Sequence, residues 1–169
     1  MFSIRRNVFE TNSSSTHSVT ISYSDLLPPQ LEVVEDWDIC DGEPTILVTL
    51  DEFCSWCDHD SQNSKLAYLI QQIAYITENE YAMCWYGTSE EQEEDKNNLY
   101  NSEEYKELES EICDYVGCKH IRIKDGCSGY IDHDSVCMSI SDLKYDDLGC
   151  EYTRFVFGAG CYVHFEFNG

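Results

Sequence analysis

Two cysteines three positions apart, Cys54 and Cys57, form the motif Cys-Ser-Trp-Cys, which Asp58 and His59 follow directly. The Thr-Leu-Asp-Glu run at 49–52 resembles a capping box, and it predicts a short helix that continues through Cys57. Residues i and i+3 of a helix lie on the same face, so both thiols would reach one ion. A structural zinc site takes four nitrogen or sulfur ligands, and two more must come from elsewhere in the chain.

His133 and Cys137 are the second candidate pair, four positions apart in a stretch rich in Cys and His. Together with Cys54 and Cys57 they make a Cys₃His set, which is typical of structural zinc. About 75 residues separate the two halves, far more than in a zinc finger. The alternative is a set of free cysteines buried in the core, since Cys is among the most buried residue types. Redox chemistry at Cys54 and Cys57 is disfavoured, because the neighbouring acids oppose thiolate formation.

The fifth candidate ligand, His17, is the next-to-last residue of the hydroxyl-rich run FETNSSSTHS at 9–18, which joins two predicted strands. Alternation places His17 on the same face as Val19, Ile21 and Tyr23, so we expect the imidazole on the apolar side. Three roles stay open for His17. It could belong to a turn held by side-chain hydrogen bonds, it could bind a metal with an acid as its orienting partner, or it could be catalytic. No nucleophile elbow or oxyanion loop pattern accompanies it.

The chemistry expected of the ten cysteines depends on whether the protein is exported or stays in a reducing compartment. The N-terminal residues carry no apolar segment of the signal-peptide type, and no run of 18 apolar residues occurs. We therefore expect a reducing cytosol, where disulfides are rare and metal binding is the usual alternative for clustered cysteines. Zinc is the predicted cofactor.

The charge balance is extreme, with 33 acidic against 10 basic residues and a net charge of −23. An aromatic content of 13% and an apolar fraction of 42% argue for a folded domain rather than disorder. Such a surface repels nucleic acid and anionic membranes and attracts basic partners. Two acidic segments, 32–43 and 90–95, are the candidate contacts, with Trp37, Trp85 and Tyr86 as aromatic anchors. The alternative is that these carboxylates form only a solvated face.

The chain length of 169 residues suits one domain over 1–169. Helical spacing predicts helices over 64–77 and 102–116, the second ending before Gly117. Strand-like alternation at both ends predicts strands over 2–9, 17–23, 152–157 and 161–167, the last two as a C-terminal β-hairpin. The expected class is α+β, an antiparallel sheet with two or three helices packed against it. The segment 88–98 is predicted to be an acidic, mobile insertion.

A resemblance adds to these patterns. The run IRRNVFETNSSSTHS at 4–18 resembles the opening of a group of small proteins from phages and mobile elements of Gram-positive bacteria, and the later GYIDH at 129–133 is similar to the same group. The resemblance implies a phage or prophage origin, the host bacterial cytosol as location, and a paired role for His17 and His133. Some of these proteins are anti-CRISPR inhibitors of type II RNA-guided nucleases, and this chain resembles a zinc-binding one.

The leading hypothesis is therefore a binding protein and not an enzyme: an anti-CRISPR inhibitor that blocks nucleic-acid loading by a basic type II nuclease. No direct nucleic-acid or membrane contact is expected. Two alternatives stay open. One is a metal-dependent hydrolase that uses His17, His133 and Asp132 on a nucleotide signal, and the other is a structural or regulatory phage protein without a nuclease target.

Overall fold

The computed structural model describes residues 3–6, 15–35, 41–53, 57–83, 88–131 and 152–167. The strands are β1 (Ser3–Arg6), β2 (Ser15–Ser22), β3 (Val33–Val34), β4 (Thr45–Val48), β5 (Glu52–Phe53), β6 (Cys57–His59), β7 (His120–Ile123), β8 (Tyr130–Ile131) and β9 (Tyr162–Phe167). The helices are α1 (Gln62–Ile76), α2 (Ser89–Asn101), α3 (Glu103–Val116) and α4 (Tyr152–Phe157), with a 3₁₀ turn at Glu80–Met83. The predicted α+β class is confirmed.

The largest sheet is antiparallel and has the strand order β1-β2-β9-β6. The C-terminal strand β9 therefore lies inside the sheet, between β2 and β6. Val19 of β2 pairs with Val163 of β9, and both are fully buried. Ile21 of β2 and Phe165 of β9 are each 2% exposed, so one face of this sheet covers the core, as the alternation of apolar residues requires.

Two smaller sheets complete the framework. In the first, β4 pairs antiparallel with β3 and parallel with β7. All four residues of β4 are buried, which is the burial expected of a strand with neighbours on both sides. The second sheet contains only the two short parallel strands β5 and β8.

Helix α1 is the centre of the core. Ser61 caps its N-terminus, since the Ser61 hydroxyl accepts a hydrogen bond from the Ser64 amide at 2.9 Å. The helix is buried over most of its length, and its apolar side chains join those of the sheets and of α3 and α4 in one continuous hydrophobic cluster. The predicted helix over 64–77 is thus confirmed, and it begins slightly earlier.

The predicted short helix through Cys57 is wrong. Glu52 and Phe53 form β5, and Cys57 to His59 form β6, with 54–56 outside the described residues. The physical reason is burial: Phe53 is fully buried against Tyr68 and Phe165, and backbone pairing of β6 with β9 extends the main sheet. These tertiary contacts outweigh a capping preference of about 1 kcal/mol.

The predicted C-terminal hairpin is also wrong in its first arm. The segment 152–157 is helix α4, although its aromatic and β-branched residues favour a strand. Both edges of β9 are already occupied by β2 and β6, which leaves no position for a hairpin partner. As a helix the segment buries Tyr152, Phe155 and Phe157 against α1 and α3 instead.

Within the described residues no helix combines the length and the apolar composition needed to cross a membrane.

Candidate interaction surface

Helix α2 carries the densest group of acidic side chains among the described residues. It is the segment predicted as a mobile insertion, and it forms 13 residues of regular helix. A capping box fixes its start: the Glu91 amide donates to the Thr88 hydroxyl at 3.2 Å, and the Thr88 amide donates to the Glu91 carboxylate at 2.8 Å. The Thr88 hydrogen bonds lower the pKa of Glu91.

Only one residue of α2, Leu99, is fully buried, and eight of its 13 residues are exposed, so most of the helix faces solvent while one side packs on the 3₁₀ turn. Glu90, Glu93 and Glu94 are exposed, and among the described residues they form no ion pair. Their charges are therefore available to a partner. At the C-terminal end of α2, Leu99 is fully buried and the ring of Tyr100 packs on Tyr105 of α3, and the helix also packs against the 3₁₀ turn at Glu80–Met83.

Glu109 of α3 differs from these acids because it points inward. One oxygen of its carboxylate accepts a hydrogen bond from the buried Ile121 amide at 2.9 Å and from Arg122 Nη1 at 2.8 Å. His120 Nδ1 lies 3.6 Å from the same oxygen. Glu109 thus attaches α3 to β7, and its charge is compensated locally.

Arg122 also contacts an aromatic ring. Its guanidinium carbon lies 4.6 Å from the centroid of the Tyr100 ring, a cation–π distance. The Tyr100 hydroxyl accepts a hydrogen bond from the Ile123 amide at 3.1 Å, and burial raises the pKa of Tyr100 to about 12. The phenol therefore stays neutral at physiological pH and connects α2 to β7.

A polar groove of about 540 Å³ lies between α2, α3 and β7. Its lining includes three cationic and three carboxylate side chains: Lys96, Lys106, Arg122, Glu93, Glu109 and Asp125. Lys96 pairs with Asp125 at 3.0 Å, and Lys106 donates to the Asn101 carbonyl at 2.7 Å. Both lysines thus have partners inside the groove, whereas Glu90 and Glu94 of α2 are exposed, do not line it, and form no ion pair among the described residues.

The other predicted acidic contact, segment 32–43, is more neutralised where the structure describes it. Glu32 pairs with Lys124 at 3.1 Å, and Glu43 lies 3.3 Å from His120 Nε2. Residues 36–40 and 84–87 lie outside the described residues, and with them the predicted aromatic anchors Trp37, Trp85 and Tyr86. Glu35 and Asp41 of this segment are exposed and form no ion pair among the described residues, so α2, with Glu90, Glu93 and Glu94, has the larger number of unpaired carboxylates.

Three of the five predicted metal ligands, Cys54, His133 and Cys137, lie outside the described residues. The other two come into one row of the main sheet: His17 of β2 and Cys57 of β6 both pair in register with Phe165 of β9. Two strand spacings make their Cα atoms about 10 Å apart. The row brings together residues 40 positions apart in sequence, and whether they share an ion stays a prediction.

His59 lies two positions after Cys57 on β6 and was not among the predicted ligands. Its ring packs against Phe53 and Phe165, with centroids 4.5 and 5.8 Å apart, and Asp51 Oδ2 lies 3.9 Å from its Nδ1. Burial lowers the pKa of His59, although nearby acids oppose the shift. The described residues contain no group of three or more His, Cys, Asp or Glu side chains that could hold a metal ion.

The opposite face of the sheet holds a pair that the sequence does not reveal. His164 Nδ1 lies 2.5 Å from Asp58 Oδ1. Asp58 of β6 and Ser18 of β2 are the register partners of His164 on its two sides. The alternation of β9 predicts that His164 lies on the other face of the sheet from Val163 and Phe165. Its pairing with Asp58 depends on which strands are neighbours in the sheet, and no local sequence pattern gives that order.

Comparison of the chain with protein families, curated proteins and solved structures finds no match.

Proposed function

We propose that this chain is an anti-CRISPR protein that binds a type II RNA-guided nuclease and blocks nucleic-acid loading with its acidic helix α2. The supporting observation is the charge density of α2. Five carboxylates fall within 90–95, which is about 7.5 Å of helix axis at a rise of about 1.5 Å per residue. Duplex DNA carries one charge per about 1.7 Å, which is about four charges over the same length.

A helix of this kind fits the channel of an RNA-guided nuclease on electrostatic grounds. Such a channel is positively charged and holds the guide–target duplex through its backbone rather than its sequence. Carboxylates on a rigid helix would contact the Lys and Arg side chains that otherwise bind the phosphates of the duplex. No base pairing is needed for these contacts. Because Glu90, Glu93 and Glu94 are exposed and form no ion pair among the described residues, no internal contact has to break first.

Rigidity also favours binding, since little conformational entropy is lost on docking. The capping box fixes the first turn of α2, and Leu99 and Tyr100 fix its last turn. A net charge of −23 adds long-range attraction, which raises association rates with a basic partner and weakens with salt.

The test is a DNA-cleavage assay with a purified type II nuclease–guide complex, at low and at high salt. We expect the wild-type chain to inhibit cleavage. The triple variant E90Q/E93Q/E94Q should need about tenfold more protein for half inhibition, since loss of close charge pairs costs at least about 1.4 kcal/mol in total. The matched control is E103Q/E107Q/D114N on α3, which changes the net charge equally and should shift inhibition by less than about threefold.

Full cleavage at low salt with excess wild-type chain would reject the inhibitor proposal for that nuclease. If both triple variants lost inhibitory potency equally, inhibition would depend on the total charge of the chain, and α2 would not be the contact surface.

In this proposal the predicted zinc has a structural role, joining chain segments through Cys54, His133 and Cys137. Elemental analysis of protein purified without added metal should give about one zinc per chain. C54S and H133A should each lower the zinc content and the Tm, because binding of a structural metal stabilises only the folded state. C127S is the control, as Cys127 hydrogen-bonds to the Lys124 carbonyl at 2.7 Å. Zinc far below one per chain in the wild type would exclude the site.

A further inference from the structure

Two thiols lie beside each other at the C-terminal end of α3. Cys113 belongs to the last turn of the helix and is 5% exposed. Cys118 follows the helix after one turn residue and is half-buried. Both are free cysteines.

The helix end brings their backbones together. Gly117 has φ of 83°, a left-handed conformation that suits glycine and ends the helix. The Gly117 and Cys118 amides then both donate to the Cys113 carbonyl, at 2.8 and 3.2 Å. With standard bond lengths this limits the Cα–Cα distance of Cys113 and Cys118 to about 7 Å. That limit agrees with the range in which a disulfide closes without backbone movement.

The side chains meet as well. The two thiol groups lie close enough to influence each other, and burial raises the pKa of both. The other two described free cysteines are engaged with the backbone: Cys127 donates to the Lys124 carbonyl, and Cys161 accepts from the Ser22 amide at 3.1 Å. Among the described cysteines, Cys113 and Cys118 are thus the pair arranged to react with each other.

We propose that Cys113 and Cys118 form a modification site for low-molecular-weight disulfides, at which the two thiols close to a reversible intrachain disulfide across the end of α3.

The reaction follows thiol–disulfide exchange. The more exposed Cys118 loses its proton to solvent, and its thiolate attacks one sulfur of the small disulfide R–S–S–R. A mixed disulfide forms, and one RS⁻ leaves and takes up a proton. Cys113 then loses its proton and attacks the Cys118 sulfur, which releases the second RS⁻ as RSH. The two cysteines are oxidised by two electrons, and R–S–S–R is reduced to two RSH.

Electrostatics and burial set the expected rates. The net charge of −23 repels an anionic disulfide such as oxidised glutathione, so a neutral probe such as 2-hydroxyethyl disulfide should react faster at low salt. Because burial raises the pKa of Cys118 above its ordinary value of 9.0, the rate should rise steadily between pH 7 and 9.

The sequence provides a direct readout. Trypsin cleaves after Lys106 and Lys119, and the peptide 107–119 contains Cys113 and Cys118 and no other cysteine. The folded full chain is incubated with 2-hydroxyethyl disulfide, and the remaining thiols are alkylated. The protein is then digested with trypsin, and the mass of peptide 107–119 is measured by mass spectrometry. We expect a peptide lighter by two hydrogen atoms and without alkyl groups, restored to the dithiol form by dithiothreitol.

Variants assign the roles. C127S should give the same light peptide as the wild type. C113S should instead retain the mixed disulfide at Cys118, because the second attack is lost. A wild-type peptide with both thiols alkylated, or a lasting probe adduct on Cys118 in the wild type, would overturn the proposal. The wild-type result alone tests the proposal, even if a variant fails to fold.

Discussion

The carboxylate of Glu109 stabilises the fold and does not contribute to the exposed acidic surface. Other acids of α3, such as Glu103 and Asp114, are exposed, but Glu109 accepts hydrogen bonds from the Ile121 amide and from Arg122. Ile121 is fully buried, so its amide would lose its partner if the carboxylate were removed. An unsatisfied buried donor costs about 1–3 kcal/mol, and a hydrogen bond to a charged group contributes about 1.5–3 kcal/mol.

We therefore expect E109A to lower the free energy of unfolding by about 3 kcal/mol, and E109Q by only about 1 kcal/mol, because glutamine keeps an acceptor for Ile121. Urea denaturation measures both. D114A removes an exposed acid from the same helix and should change stability by less than about 0.5 kcal/mol. If E109Q were as unstable as E109A, most of the loss would come from the ion pair with Arg122 and not from the Ile121 amide.

Among single residues, those governed by local rules could be predicted from the sequence. Alternation correctly put Val19 and Ile21 on the buried face, but Tyr23, predicted on the same face, lies beyond the end of β2 and is exposed. Gly129, part of the run that carries the family resemblance, has a packing reason: a Cβ there would come 3.0 Å from Leu50 Cβ and closer still to Gln71. The pairing of His164 with Asp58 could not be predicted, because it joins residues 106 positions apart through a strand order that tertiary packing decides.

At the scale of elements, predictions succeeded where the pattern was long. The helices α1 and α3 each extend over about four turns, with clear caps at Ser61, Ser102 and Gly117. Six-residue segments such as α4 contain too few positions to separate a period of 2 from one of 3.6. Their structure follows from which sheet edges are already occupied.

Helix α2 buries only one of its residues, Leu99, so its N-terminal cap should contribute a larger share of its stability than the cap of a buried helix does. T88A removes the hydroxyl that accepts from the Glu91 amide, which should cost about 1 kcal/mol of local stability. The amides of the first turn should then exchange with solvent about fivefold faster in hydrogen-exchange measurements. S110A, an exposed change in the middle of α3, should leave α2 unaffected. Unchanged exchange in T88A would mean that the capping box does not hold the helix.

The same capping box should make the stability of the first turn of α2 depend on pH. The pKa of Glu91 is lowered in the folded helix below its ordinary value of 4.5 by the Thr88 hydrogen bonds. A lowered carboxyl pKa contributes stability that is complete above the unfolded pKa and is lost as the pH falls through the folded one. Protection of the first turn should therefore decline below pH 4.5 in the wild type, and this decline should be smaller in T88A.

For the whole molecule, the charge of −23 is the dominant feature, and it opposes folding. Like charges come closer in the compact state than in the unfolded chain, so their repulsion destabilises the fold. Added salt screens this repulsion, since the Debye length falls from about 30 Å at 0.01 M to about 3 Å at 1 M. Salt also weakens the surface pairs Lys124–Glu32 and Lys96–Asp125, but such pairs contribute at most about 1 kcal/mol each.

Repulsion should outweigh these pairs, and we expect the Tm to rise by about 5 °C between 0.02 and 0.5 M NaCl in differential scanning calorimetry at constant zinc. The matched control is the variant with all six neutral substitutions on α2 and α3 (E90Q, E93Q, E94Q, E103Q, E107Q, D114N). Its lower charge should reduce the salt effect. A Tm that falls with salt in the wild type would mean that specific ion pairs, and not the excess of carboxylates, control the stability of the fold.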